Sequence, residues 1–135
     1  MKICIVVSDY YKEIANSLLK GSIKELKKNG INNIRIMYVS GAFEIPNLIS
    51  KNVKKFDAFI ALGCVIKGET PHFDFISKSS IDAIMKLSIE SKKPIGNGIL
   101  TCLNKNQAVE RADKSNKNKG KEAADAVIEL LIGDN

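Results

Sequence analysis

Four short runs of β-branched and aliphatic residues, at 2–7, 33–39, 57–65 and 95–101, alternate with stretches whose apolar positions recur three and four apart. Most of the runs are apolar at successive positions, the pattern of strands covered on both faces in a parallel sheet. Between the first two, Ile14, Leu18, Leu19, Ile23 and Leu26 form one helical stripe, and Asn29-Gly30 supplies its stop. A shorter helix is expected over 44–53. Phe73, Ile76, Ile84 and Leu87 mark a long one that follows Pro71 and ends before Pro94, and residues 104–111 suit a further short helix. Ala123, Ala124, Val127, Ile128 and Leu131 mark the last. The order β-α-β-α-β-α-β-α-α predicts one doubly wound domain over residues 1–135, a three-layer α/β/α sandwich on a four-stranded parallel sheet. No repeat, low-complexity tract or linker interrupts it, and the most polar stretch, 113–121, connects the last two helices.

Composition narrows the classes of function. The chain has 135 residues, 44% of them hydrophobic, enough for one real core. Trp is absent, so that core is mainly Ile, Leu, Val and Ala. The net charge of +6 suits an anionic partner. Its lysines are scattered, however, and Arg35 and Arg111 are the only arginines, so the footprint of a nucleic-acid binder is missing. Cys4, Cys64 and Cys102 lie far apart in strand-like runs, which reads as small buried hydrophobes in a reducing compartment. Their odd number argues against a disulfide framework, and one His with no Cys cluster gives no zinc pattern. The apolar run after Met1-Lys2 is too short for a signal peptide, and no stretch approaches the ~18 residues of a membrane span. A cytoplasmic protein that binds neither membrane nor nucleic acid is expected.

In a doubly wound sheet, ligands bind beyond the carboxyl ends of the strands. The segments there are 8–11, 40–46, 67–72 and 101–104. The third is the richest in chemistry. Gly68 permits a tight turn, and Glu69 and Thr70 start a helix whose free N–H groups can cradle an anion. Taken alone, such a turn fits an ordinary helix start equally well. His72, the only histidine, follows at once; an imidazole, with an unperturbed pKa of ~6.5, suits proton transfer near neutrality. In the second segment Phe43 and Glu44 set an aromatic beside a carboxylate, as a site for a heterocycle or polyol would, or as a capped turn with Phe43 in the core would. Arg111 ends the short helix with a fork that suits phosphate, and Lys119 and Glu122 follow near the start of the last.

Together these segments resemble the lumazine synthase family. The residues that carry the resemblance are Gly41 to Pro46 (GAFEIP), Leu62 to Asp74 (LGCVIKGETPHFD), Gly98 to Thr101 (GILT), Gln107 to Ala112 (QAVERA) and Asn118 to Ala124 (NKGKEAA). They run through essentially the whole chain in the family's order. The resemblance implies a flavodoxin-like fold and a transferase of riboflavin biosynthesis that uses no metal or redox cofactor. Its reaction joins 5-amino-6-(D-ribitylamino)uracil to 3,4-dihydroxy-2-butanone 4-phosphate, giving 6,7-dimethyl-8-ribityllumazine, phosphate and water. It further implies that Tyr10 stacks on the pyrimidine, and that Ala42, Phe43 and Glu44 hold the pyrimidine and ribityl chain. Cys64, Val65, Ile66 and Lys119 would line the same pyrimidine and ribityl pocket. Glu69, Thr70, Asn97 and Arg111 would bind the butanone phosphate, and His72 would shuttle protons. Asn97 stands where the family usually has an aromatic that reaches a neighbouring subunit's site. The implied assembly is a homopentamer with active sites between subunits, a sixty-subunit shell being the larger alternative. The chain opens at its first core strand, whereas many members carry an earlier strand that joins a neighbour's sheet.

Two other readings carry distinct expectations. An archaeal-type riboflavin synthase would join two lumazines without the condensation, and the Thr70-Pro71-His72 turn with Arg111 favours the phosphate-releasing enzyme over it. A non-catalytic flavin-binding or signalling module would retain flavin without turnover. A receiver domain needs acidic residues at strand ends, and Asp57 begins its strand instead.

Overall fold

The computed structural model describes residues 1–68, 73–113 and 117–133. Strands β1 (Lys2–Ser8), β2 (Asn33–Val39), β3 (Ala58–Ile66) and β4 (Ile95–Cys102) form one sheet in the order β2-β1-β3-β4. Every pairing is parallel, with Ile5 beside Ile36 and Ile60, and Cys64 beside Leu100. Helices α1 (Lys12–Lys28), α2 (Ile45–Asn52), α3 (Phe73–Ser91), α4 (Lys105–Arg111) and α5 (Lys119–Ile132) connect and cover it. The expected three-layer sandwich is present, flavodoxin-like in its winding.

Strand alternation divides the core in two. Ile3, Ile5, Val7, Ile60 and Leu62 face α1, α4 and α5, meeting Leu18, Ala108 and Val127. Cys4, Val6, Phe59 and Ala61 face α2 and α3, meeting Ile45, Ile49 and Ile84. All nine residues of β3 are buried, as its unbroken apolar run implies. β2 departs from that expectation: Ile36 and Tyr38 are exposed, because β2 is a sheet edge and the helices concentrate over β1, β3 and β4. β4 lies so close to α5 that a methyl group added at Gly96 would overlap the Ala123 carbonyl oxygen.

Local signals account for the helix ends. α1 stops where Gly30 takes the left-handed conformation, φ +80°. Asn104 caps α4 by accepting from Gln107 N at 2.9 Å, while Gln107 Oε1 accepts from Leu103 N at 2.8 Å. α2 begins one residue later than the expected 44–53, because Ala42–Glu44 form a separate 3₁₀ turn and Pro46 then sits in the first turn of α2. The three cysteines are buried and form no disulfide among the described residues, and burial pushes the Cys4 thiol up to about 11. Among the described residues no helix is long and apolar enough to cross a membrane.

The α1–α5 seam carries a carboxyl pair with a definite pH signature. A hydrogen bond with Asp125, then burial and Asp125's negative charge, raise Glu25 above the usual carboxylate range against the pull of Lys121 and Lys28. Burial opposes ionisation of Asp125 too, but hydrogen bonds with Glu25 and Lys121 hold it below its usual value. Lys121 Nζ lies 3.1 Å from Asp125 Oδ2 and 3.8 Å from Glu25 Oε2. Glu25's contribution to stability is therefore complete below the ordinary carboxylate range and is lost as pH rises through its raised folded value. Asp125's is complete at neutral pH and is lost only in acid. Glu25→Gln, which mimics the protonated partner, should melt higher than the parent at neutral pH. The gain should be no more than about 1 kcal/mol, because Lys121 and Asp125 are half exposed. It should narrow as pH falls toward roughly 4; melting curves across that range check it.

Candidate functional site

The winding of the sheet reverses between β1 and β3, since α1 lies on one face and α2 and α3 on the other. At the carboxyl ends of these strands is a hollow of about 490 Å³. Its floor is Ser8 at the end of β1 and Cys64 and Val65 near the end of β3. Gly41, Ala42, Phe43 and Glu44 form one wall, Tyr10 and Tyr11 another, and Phe75 and Ile76 of α3 close the third side.

Each wall is built locally. Gly41 keeps an extended backbone and leads into the 3₁₀ turn, where Glu44 N donates to Gly41 O at 3.1 Å. Ser80 Oγ of α3 donates to Ala42 O at 3.3 Å, fastening the turn to the helix beside it. Ala42 is buried in consequence, whereas Phe43 is 61% exposed. Phe43 therefore does not fill the core; it is an apolar ring held out over a hollow. Tyr10 is 63% exposed and meets Tyr11 edge-on, with ring centroids 4.9 Å apart. Flat rings over a mainly apolar floor suit a planar heterocycle. Glu44 adds an acceptor at the rim, and its Oε1 lies 3.5 Å from Ser40 Oγ.

A second hollow, of about 520 Å³, runs along the free edge of β4. Asn97, Ile99 and Thr101 of β4 and Ile81 of α3 meet there with Arg111, Lys117, Lys119 and Glu122. Cations outnumber carboxylates, and Lys117 is drawn toward Glu110 at 3.7 Å. Arg111 Nη1 donates to Cys102 Sγ at 3.7 Å, which steadies the guanidinium. Among the described residues Arg111 forms no ion pair. Asn97 Oδ1 accepts from Ile99 N at 3.1 Å, a bond along β4 itself, so its NH₂ group is what remains for the hollow. The chemistry offered here is that of an anion site.

The expected residues thus fall into separate groups. Tyr10, Ala42, Phe43, Glu44, Cys64 and Val65 line the first hollow; Asn97, Arg111 and Lys119 line the second, and the two share no lining residue. Ile66 packs in the core beneath α1, α4 and α5 and is not among the lining residues of either. Glu69, Thr70 and His72 lie outside the described residues; the chain leaves Gly68 just before them and re-enters at Phe73, ahead of Phe75. Sequence reasoning placed segments 8–11 and 101–104 at the ligand end of the sheet without singling out Ser8, Tyr11 or Thr101, and it missed Phe75. Phe75 had a signal: an aromatic within the first turn of a helix at a strand end, off the stripe of Phe73, Ile76, Ile84 and Leu87.

Comparison with known proteins gives one answer. The profile of the 6,7-dimethyl-8-ribityllumazine synthase family matches residues 1–132. A protein of that name from Protochlamydia amoebophila is 42% identical, over 96% of this chain and 78% of its own length. One from Bartonella tribocorum is 41% identical, over 98% of this chain and 93% of its own. Another, from Cutibacterium acnes, is 36% identical over 97% and 80%.

Proposed function

The chain belongs to the 6,7-dimethyl-8-ribityllumazine synthase family, and we propose how its site does the family's work. It is a transferase of riboflavin biosynthesis. It condenses 5-amino-6-(D-ribitylamino)uracil with 3,4-dihydroxy-2-butanone 4-phosphate, forming 6,7-dimethyl-8-ribityllumazine and releasing phosphate and water.

In this reading the first hollow takes the pyrimidine. Tyr10 and Phe43 contact its faces, Glu44 accepts from the ribityl hydroxyls, and Ala42, Cys64 and Val65 form the floor. Ile66 acts from the core by fixing the end of β3. The phosphate of the second substrate is held by Glu69 and Thr70, and by Arg111, Lys119 and Asn97 of the second hollow. One observation supports the arrangement: the apolar, ring-walled hollow and the cationic hollow of a single chain share no lining residue. A second copy that sets its β4 edge against the first hollow joins them, so each site is completed between copies. A closed ring is the assembly that repeats such a contact, and the homopentamer is the proposed form; a sixty-subunit shell would be built from it. The proposed location is the cytoplasm, and the proposed domain is the whole chain.

The steps follow from these groups. The 5-amino nitrogen attacks the ketone, and a first water leaves as the imine forms. Phosphate then departs with the C–O bond electrons, helped by Arg111 and Lys119, which stabilise its charge. The enol left behind tautomerises, the ribityl-bearing nitrogen attacks the new carbonyl, and a second water leaves as the ring closes. Each step moves a proton, which His72 gives or takes. No electrons are exchanged with an outside acceptor, so the sequence needs no redox cofactor. Holding two substrates in register supplies much of the remaining rate.

The test is an assay of the purified chain with both substrates. Lumazine and inorganic phosphate should appear together in equal amounts. Riboflavin formed from lumazine alone, without the condensation, would instead assign the riboflavin synthase reaction; retention of flavin with no turnover would assign a binding module.

A further inference from the structure

Arg111 is the last residue of α4 and Lys119 the first of α5, and the polar connection between them contains residues 114–116, outside those described. A cationic hollow needs the two helix ends held in register. One buried side chain spans the ends. Asn118 is 4% exposed. Its Nδ2 donates to Ala112 O, one residue past Arg111, at 3.0 Å. The same nitrogen donates to Ser17 O of α1 at 2.9 Å. Its Oδ1 accepts from Lys121 N at 2.9 Å, capping α5.

The surroundings are shaped for this amide. A Cβ at Gly21 would overlap the Asn118 carboxamide, and one at Gly120 would overlap the Leu18 carbonyl oxygen, so α1 and the first turn of α5 touch backbone to backbone. Ser22 Oγ adds a bond to Gly120 O at 2.7 Å. An ordinary N-cap needs only the oxygen, which Ser or Asp supplies equally well. The two donated bonds are surplus to capping; they tie the end of α4, the start of α5 and the rigid face of α1 at one point.

We infer that Asn118 is a positioning residue for the anion half of the site, holding Arg111 and Lys119 as a pair. The inference rests on the reading of the second hollow as the phosphate site. Its role is to keep the guanidinium and the ammonium converged before substrate arrives, so that binding does not have to order them.

Asn118→Ser tests it, because the hydroxyl preserves the cap and removes both donated bonds. Ser22→Ala is the control, since it weakens the same α1–α5 contact without touching the end of α4. The readout is steady-state kinetics with each substrate varied in turn, alongside melting temperature. Asn118→Ser should raise KM for the butanone phosphate about tenfold, with kcat and the pyrimidine KM within about twofold. Ser22→Ala should lower the melting temperature and leave both KM values unchanged. In an Arg111→Ala background, Asn118→Ser should add less than about twofold, because the residue it positions is gone. If Arg111→Ala raises the phosphate KM but Asn118→Ser does not, Asn118 is a cap only and the inference fails alone. Equal KM changes in Asn118→Ser and Ser22→Ala, or full additivity with Arg111→Ala, also overturn it. If Arg111→Ala leaves the phosphate KM unchanged, the second hollow is not the phosphate site and both readings fall together.

Discussion

His72→Ala is expected to slow the condensation by about a hundredfold or more while pyrimidine binding changes little. His72 is the only imidazole in the chain, and it stands just before α3, whose Phe75 and Ile76 close the first hollow. Cys64, on the floor of that hollow, is a buried thiol. Several proton transfers in the reaction therefore have one well-suited side chain. Pre-steady-state mixing with the pyrimidine, followed by turnover with both substrates, separates the two effects. An unchanged turnover rate would remove His72 from proton transfer; a large loss of pyrimidine affinity would make it a binding residue.

Arg111→Ala should raise KM for the butanone phosphate by roughly tenfold to a hundredfold, the range for losing charged hydrogen bonds of about 1.5–3 kcal/mol. The pyrimidine KM should stay as it was, because Arg111 and the first hollow share no wall. Arg111→Lys should recover part of the loss, since it restores the charge without the planar fork. The measurement is initial rate against phosphate substrate at saturating pyrimidine. Equal loss for both substrates would mean that Arg111 supports the assembly rather than the anion.

The architecture was largely legible in the chain because its strongest signal, successive apolar positions, belongs to strands buried on both faces. β3 is the clearest case, and β1 follows it. β2 misled in part: Ile36 and Tyr38 look like core residues in sequence but lie on an edge, and edge position is a property of strand order. At the start of α2 only Glu44 was assigned to the helix rather than to the 3₁₀ turn before it, since apolar spacing does not fix where a tight turn ends and a helix begins. At the site, the strand-end segments were legible, and 8–11 was among them. Ser8 and Tyr11 were not singled out within it, because nothing in their immediate neighbours distinguishes a hollow's wall from a helix start. Asn118 illustrates a deeper limit: its role depends on Ser17 and Ala112, one of them far away in the chain, and only folding brings all three together. The separation of Arg111 from the ring-walled hollow is likewise a matter of topology.

That separation can be tested by complementation. Co-express the His72→Ala and Arg111→Ala chains so that they assemble together, and compare the condensation rate with that of each variant alone. If sites form between copies, an Arg111→Ala chain contributes an intact first hollow and a His72→Ala chain an intact second one. Random mixing then rebuilds roughly a quarter of the sites, and activity should climb toward that share of the parent's. A mixture no more active than the average of the two variants would contradict a site shared between copies.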